Sequence, residues 1–319
     1  MARVTVQPST PMALGSGGAR VRSSAAAARW DGWLRRLPLL PALVYVILVT
    51  QVPFALTIVY SLQKWNLLYP APARFTGLQN YIDVINDPST RTAIWNTIVL
   101  TVCAVSLSVA IGVGIAMLLN REIFGKGIVR TLMIGPFLVM PTAAALMWKD
   151  TLLNPLTGLV NYLLGPIGLG RADWINQYPM ASIVGIEVWR WTPFMMLIVL
   201  AGLQSQNQEV LEAARVDGAR ALQMFRYITL PFIRPFIELG ALLGALFIVQ
   251  SFDTIFMTTQ GGPGEATTNL PFLLYLVAFQ GFDIGKASAI GVLAVVLTMI
   301  VATFALRTLF TIFRVEARR

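Results

Sequence analysis

Long stretches of this chain, up to 29 residues, run without one charged side chain, and no other feature restricts the fold so strongly. Arg36 to Lys64 encloses 27 uncharged residues, Arg91 to Arg121 encloses 29, Arg130 to Lys149 encloses 18 and Lys286 to Arg307 encloses 20. A helix needs about 20 apolar residues to cross the hydrocarbon core of a bilayer. Lipid admits only helices or closed barrels, because backbone polar groups find no water there. Two more spans carry charge inside them: Pro179 to Leu203, with Glu187 and Arg190, and Pro235 to Thr258, with Glu238 and Asp253. The expectation is an all-α integral membrane protein with six transmembrane helices and both termini on one side. Only 12% of the residues are charged, about half the share of a soluble domain.

The basic residues fix an orientation. On one side the amino-terminal tail, the Asn120 to Arg130 loop, the loop between the fourth and fifth spans and the carboxy-terminal tail hold 17 Lys and Arg; the other side holds six. The positive-inside rule puts the richer side, with both tails, in the cytoplasm. That distribution also accounts for the net charge of +9, so nucleic acid is not expected as a partner. Histidine is absent and Cys103 is the single cysteine. This excludes disulfides within the chain, His/Cys zinc sites and histidine-based catalytic triads. Residues 1–36, rich in Ala, Ser, Gly and Arg, lack the apolar core of a signal peptide. They are expected to be a mostly disordered cytoplasmic tail, with a short interfacial helix around Ala25 to Trp33.

The cytoplasmic stretch from Glu212 to Pro231, EAARVDGARALQMFRYITLP, has a structure of its own. Asn207 is a good N-cap, Gln208 to Val216 is helix-permissive, and Gly218 supplies the positive φ that ends a helix. A second helical run follows, and Pro231 and Pro235 are expected to bend the chain as it enters the next span. The spacing Glu-Ala-Ala, three residues, Gly, nine residues, Ile, one residue, Leu-Pro resembles the EAA loop of ABC importer permeases. In that family the loop is a coupling helix seated in a cleft of the ATPase subunit. The resemblance implies this role here for Glu212, Ala213, Ala214, Asp217, Gly218, Ile228, Leu230 and Pro231, within a loop spanning 205–231.

Two outer loops extend the likeness. Phe75, Gly77, Leu78, Asn80, Tyr81, Asp87, Pro88, Asn96 and Thr97 resemble the loop after the first span of maltose and glycerol-phosphate type permeases. Within it, Asn80 or Asp83 is expected to start a short helix that Asp87-Pro88 breaks. After the fifth span, Gln260-Gly261-Gly262-Pro263 is glycine-rich but lacks the Gly-Lys-Ser/Thr ending of a phosphate-binding loop. With Thr268, Leu270, Tyr275, Ala278-Phe279 and Gly285-Lys286-Ala287 it resembles the first of the two permeases of carbohydrate importers, and its wording is similar to sorbitol and mannitol permeases.

The likeness covers about Pro38 to Phe313. It implies a type I ABC importer permease fold over 37–313, with 314–319 a cytoplasmic tail, in the bacterial cytoplasmic membrane. It also implies a second permease, two ATPase subunits that bind ATP and Mg, an extracytoplasmic solute-binding protein and a sugar or polyol substrate. The chain itself would be neither an enzyme nor a cofactor carrier. Two features depart from the family: there is no large additional outer domain, and Gln206-Asn207-Gln208 stands where an Ile-Pro pair often leads into the coupling helix.

Ionisable side chains within a span face protein or water, because lipid makes them costly. Glu187 and Arg190, three apart, share a helix face and can neutralise each other. At 1.5 Å per residue Glu187 lies about 12 Å from Pro179. Gln250 reaches a similar depth, and Asp253 a shallower one, if their helix ends near Thr258. Trp189 and Trp191 flank that level, and polar groups beside aromatic surface suit a sugar. Glu187, Arg190, Gln250 and Asp253 are therefore expected to line a translocation path, with Asn96 and Trp148 as packing or interfacial residues. Other solute classes, such as glycerol-phosphate, remain open. A secondary transporter would show internal repeats and broken helices at matching positions, and neither is visible in the sequence.

Overall fold

The computed structural model describes residues 39–69, 72–121, 124–168 and 172–316, with backbone alone from residue 304 onward. The amino-terminal tail, its expected short helix and the last three residues lie outside these. The chain divides into two compact units, Met1–Ala55 and Leu56–Arg319. The described part of the first is most of helix α1 (Leu40–Ser61). From residue 40 to 55 every side chain is exposed, and most are aliphatic or aromatic. Such a helix is solvated by lipid or by another apolar chain, not by water.

In the second unit α1 ends in a small ribbon. Strands β1 (Gln63–Lys64) and β2 (Arg74–Phe75) pair antiparallel with Gln63 opposite Phe75. Helix α2 (Gln79–Asn86) then crosses beside it. Asn80 does not cap this helix, as its residue type suggests. Its buried amide instead donates to the carbonyls of Ser61 and Gln63, both at 2.8 Å. Asp87 does break the run, and it caps α3 (Pro88–Leu119) by accepting from the Ser89 amide. Pro88 sits at the first helical position, where its missing N–H costs nothing.

The third span differs from expectation. Helices α4 (Lys126–Leu138) and α5 (Pro141–Leu146) meet at a 97° bend, and a π-helical turn prolongs α5 to Leu152. Val139 and Met140 are extended, with ψ of 132° and 135°. The residue before a proline is held in that region by the proline ring, so Pro141 enforces the break. Among the described residues five single helices are long and apolar enough to cross a bilayer, and the bent pair, counted as one span, brings them to six.

Helix α6 (Pro179–Gln204) is the most enclosed span, with 67% of its most apolar window buried. It packs most extensively against α3. Gly112 permits that approach: a Cβ there would lie 2.8 Å from the Met195 Cβ and 3.0 Å from the Met196 nitrogen. Ala116, Leu119, Met196, Val199, Leu200, Leu203 and Ile233 fill the core beside the crossing.

After α7 (Gln208–Val216) the chain turns and runs as one helical span from Ala221 to Ile248, whose last section is α8 (Leu230–Ile248). Pro231 and Pro235 therefore do not interrupt the helix. A π-helical turn at Phe225–Thr229 precedes Pro231, and widening the coil there accommodates the ring and the missing N–H. The fifth span ends ten residues earlier than the expected Thr258. The chain unwinds at 249–252 and restarts as α9 (Asp253–Thr258). Helix α10 (Leu270–Tyr275) and the long α11 (Ile284–Glu316), which passes the expected boundary at 313, complete the chain.

Candidate functional site

The residues expected for coupling and for the path fall in two regions, the loop between α6 and α8 and a cavity beside the end of α8. The first is the loop that follows α6. Asn207 caps α7 as its position predicts, its side chain accepting from the Glu209 amide at 2.9 Å. Gly218 ends the turn at φ +82°. No residue of α7 is buried: Glu212, Ala213 and Asp217 are exposed and Ala214 is half-buried. Val216, Leu222 and Tyr227 are 88%, 75% and 70% exposed. Asp217, Gly218, Gln223, Tyr227 and Ile228 border a cavity of about 340 Å³ between the two arms. Leu230 and Pro231 belong to the start of α8 and lie away from that cavity. A nine-residue helix with no buried side chain cannot be held by its own packing. Its cap and the Gly218 turn give it shape, and its surface is left open for another body.

The second region is a cavity of about 170 Å³ lined by Glu187, Arg190 and Trp191 of α6, Phe247 of α8, Gln250 to Thr254, and Pro141. All four residues expected on the path meet here. The route differs from expectation: Gln250 and Asp253 do not continue a helix to Thr258 but sit on the unwound turn and the first residue of α9. An unwound backbone in a span is tolerated only where it is covered by protein or lines an aqueous cavity.

The four side chains have unequal freedom. Glu187 is 1% exposed and accepts from Arg190 Nη1 at 3.2 Å, Ser251 Oγ at 2.7 Å and Thr254 Oγ1 at 2.5 Å. Its charge is compensated and its acceptor sites are largely used. Arg190 Nε is buried without a partner. Gln250 and Asp253 are exposed to the cavity. The Gln250 amide donates to the Leu246 carbonyl, and Thr142 Oγ1 donates to Asp253 Oδ1 at a long 3.5 Å. Trp191 forms one wall, stacked on Phe247 at 5.5 Å. Trp189 turns away to meet Trp148 edge-on at 5.8 Å. Ser251, Thr254 and Thr142 were not legible as site residues. The helix end at Ile248 turns the two hydroxyls at 251 and 254 towards Glu187, and charge counting does not reveal that end.

The glycine-rich loop is a clamp by its geometry. Gln260, Gly261 and Gly264 have φ of +50°, +83° and +61°, and the Gly262–Pro263 peptide is cis. Thr259 and Thr267 join their hydroxyls at 2.7 Å, and Thr268 Oγ1 donates to the Gly261 carbonyl. Asn96 of α3 donates to the carbonyls of Glu265 and Thr268 at 2.9 and 3.0 Å, so it packs a loop to a helix, as expected. Asn269 caps α10, and its amide also donates to the Ser251 carbonyl at 2.5 Å. The loop thereby holds the unwound turn whose hydroxyl reaches Glu187.

A larger groove of about 460 Å³ lies between α3, α8 and α11. Its lining is almost wholly aliphatic. Glu238 is its one charge and is paired with Arg234 at 2.8 Å. A surface of that kind solvates alkyl chains and offers a polar solute few partners.

A family model described as the binding-protein-dependent transport system inner membrane component matches residues 40–317. The chain is 40% identical over 265 residues to a probable ABC transporter permease protein, y4oQ, of Sinorhizobium fredii, covering 82% of this chain and 85% of that one. It is 34% identical over 271 residues to the trehalose/maltose transport system permease protein MalF of Thermococcus litoralis, covering 84% and 90%. Among solved structures, a chain from a bacterial ABC transporter that imports the acidic polysaccharide alginate superimposes with a TM-score of 0.75 at 23% identity, over 91% of this chain and 99% of that one.

Proposed function

The chain belongs to the family of binding-protein-dependent transport system inner membrane components, and from that premise we propose that it is one permease subunit of an ABC importer for a sugar. The permease fold is that of the alginate transporter chain. The sugar class is supported by the trehalose/maltose and trehalose permeases among its relatives. In this reading a second permease encloses the path with it, and an extracytoplasmic binding protein delivers the solute. The related alginate transporter has been captured with such a sugar-loaded periplasmic protein. Two ATPase subunits bind ATP and Mg and grip one coupling loop each. This chain supplies no chemistry and passes on motion, with both tails in the cytoplasm.

The observation that carries the reading is the uncovered helix α7. It is preorganised by Asn207 and Gly218, yet none of its residues is buried. A partner that seats it displaces water from Val216, Leu222 and Tyr227 without first having to order the helix. Because the span from Ala221 to Ile248 is continuous, displacement of α7 is transmitted along one rigid rod to the turn at 249–252. That turn carries Gln250, Ser251 and Asp253, so a push at the cytoplasmic end reaches the cavity directly. The carboxylate, guanidinium and amide groups there, with Trp191 as an apolar wall, suit a polyhydroxylated solute.

An Ala213→Cys variant, on a background in which Cys103 is replaced by serine, tests the coupling role. With a cysteine at the docking cleft of the ATPase subunit, the assembled importer is expected to form a disulfide crosslink that abolishes solute-stimulated ATP hydrolysis until reduced. Failure to crosslink in an intact complex would overturn it.

A further inference from the structure

The charges around the cavity do not balance, and the excess sits on one residue. Glu187 and Arg190 form an ion pair, and the remaining acceptor capacity of Glu187 is taken by Ser251 and Thr254. Asp253 has no such compensation. Among the described residues no cation lies within ion-pair distance of it, and its one recorded side-chain partner is the distant Thr142 hydroxyl. Lys149 stands on the π turn that prolongs α5, whose helix packs against α9, but its ammonium is directed to the Met257 carbonyl. On α8 the acid Glu238 is engaged with Arg234 and does not line this cavity. The cavity therefore presents a free carboxylate at Asp253 and the Gln250 amide, whereas Arg190 Nε is buried away from it.

Asp253 lies beyond the end of the fifth span and is exposed, and the fold gives little structural return for its unpaired charge. As the first residue of α9, Asp253 meets the dipole of a six-residue helix, a weak effect. We propose that Asp253 is a specificity-determining residue. Its two oxygens accept from adjacent hydroxyls of a neutral sugar, and its net negative charge excludes anionic sugars. This inference rests on the reading that the cavity lines the solute path. Charge-assisted hydrogen bonds from hydroxyls are about twice as strong as neutral ones. A second carboxylate brought within several ångströms in a medium of low effective dielectric is opposed by at least about tenfold in affinity. Arg190 does not offset this, because Glu187 already neutralises it.

The test uses the assembled importer without its binding protein, so that receptor selectivity does not enter. With Cys103 replaced by serine, a Gln250→Cys reporter is labelled by a small thiol reagent, and protection is titrated with trehalose and with trehalose oxidised at one C6 to the uronic acid. Trehalose is expected to protect, and the uronate to need at least about tenfold more. Adding Asp253→Asn should weaken trehalose and bring the two within about twofold. Asp253→Glu, which retains the charge, should restore the gap and shows that the site survives substitution. Equal protection by both sugars, or a gap unchanged by Asp253→Asn, overturns the charge filter while leaving the path reading intact. If neither sugar protects the reporter, the path reading itself fails and the inference with it.

Discussion

Replacing Glu187 by alanine removes the acceptor of three donors at once, one buried and two partly buried. Arg190, whose side chain is 14% exposed, would be left without its counter-ion. Breaking a buried ion pair from one side costs about 3–5 kcal/mol. Ser251 and Thr254 each lose a hydrogen bond worth about 1 kcal/mol, although both hydroxyls can turn to backbone carbonyls. The cavity beside Arg190 admits water, which offsets part of the penalty, so a net loss of about 3 kcal/mol is expected for Glu187→Ala. The decisive comparison is the double variant Glu187→Met with Arg190→Met, which removes both charges and keeps the volume. It should recover at least about 2 kcal/mol of that loss, because what destabilises the single variant is the orphaned guanidinium. Denaturant unfolding of the purified complex in detergent measures both. If Glu187→Ala costs under about 1 kcal/mol, or if the double variant is no more stable than the single, the account of Glu187 as the compensating group for Arg190 is wrong.

Gly112→Ala should cost about 2–3 kcal/mol, because its Cβ meets main-chain and Cβ atoms of α6. Gly244→Ala meets the mobile end of the Met195 side chain instead and should cost under about 1 kcal/mol in the same unfolding assay. Gly218→Ala has open space around its new methyl, so its cost of about 1–2 kcal/mol is backbone strain alone. It should appear as faster amide exchange across 208–217, and Gly218→Asn should lessen it. Asn96→Ala strips the amide that holds the Glu265 and Thr268 carbonyls. A loss of about 1–3 kcal/mol is expected, with faster proteolysis within 260–268, and an unchanged cleavage rate would show that the loop holds itself.

The apolar spans and the capped helix α7 with its glycine turn were legible from the sequence because each depends on neighbouring residues alone. A long uncharged run is driven into lipid whatever it packs against, and an Asn cap followed by a glycine with positive φ shapes α7 without tertiary help. The breaks were not legible. Pro141 breaks the third span, whereas Pro231 and Pro235 leave the fifth continuous, since a π turn before Pro231 takes up the strain. The same residue type gives opposite results in different surroundings. Counting charges also extended the fifth helix to Thr258, although it unwinds at 249.

Glu187, Arg190, Gln250 and Asp253 were anticipated together, but Ser251, Thr254 and the roles within the cavity were not. Composition places Glu187, Arg190, Gln250 and Asp253 in lipid-embedded segments, where each must find a partner. Which partner each finds depends on contacts between residues more than 60 positions apart, such as Ser251 and Thr254 with Glu187. Hydrogen-bond saturation is a property of three-dimensional neighbours, so only the folded chain separates the compensated carboxylate at 187 from the free one at 253.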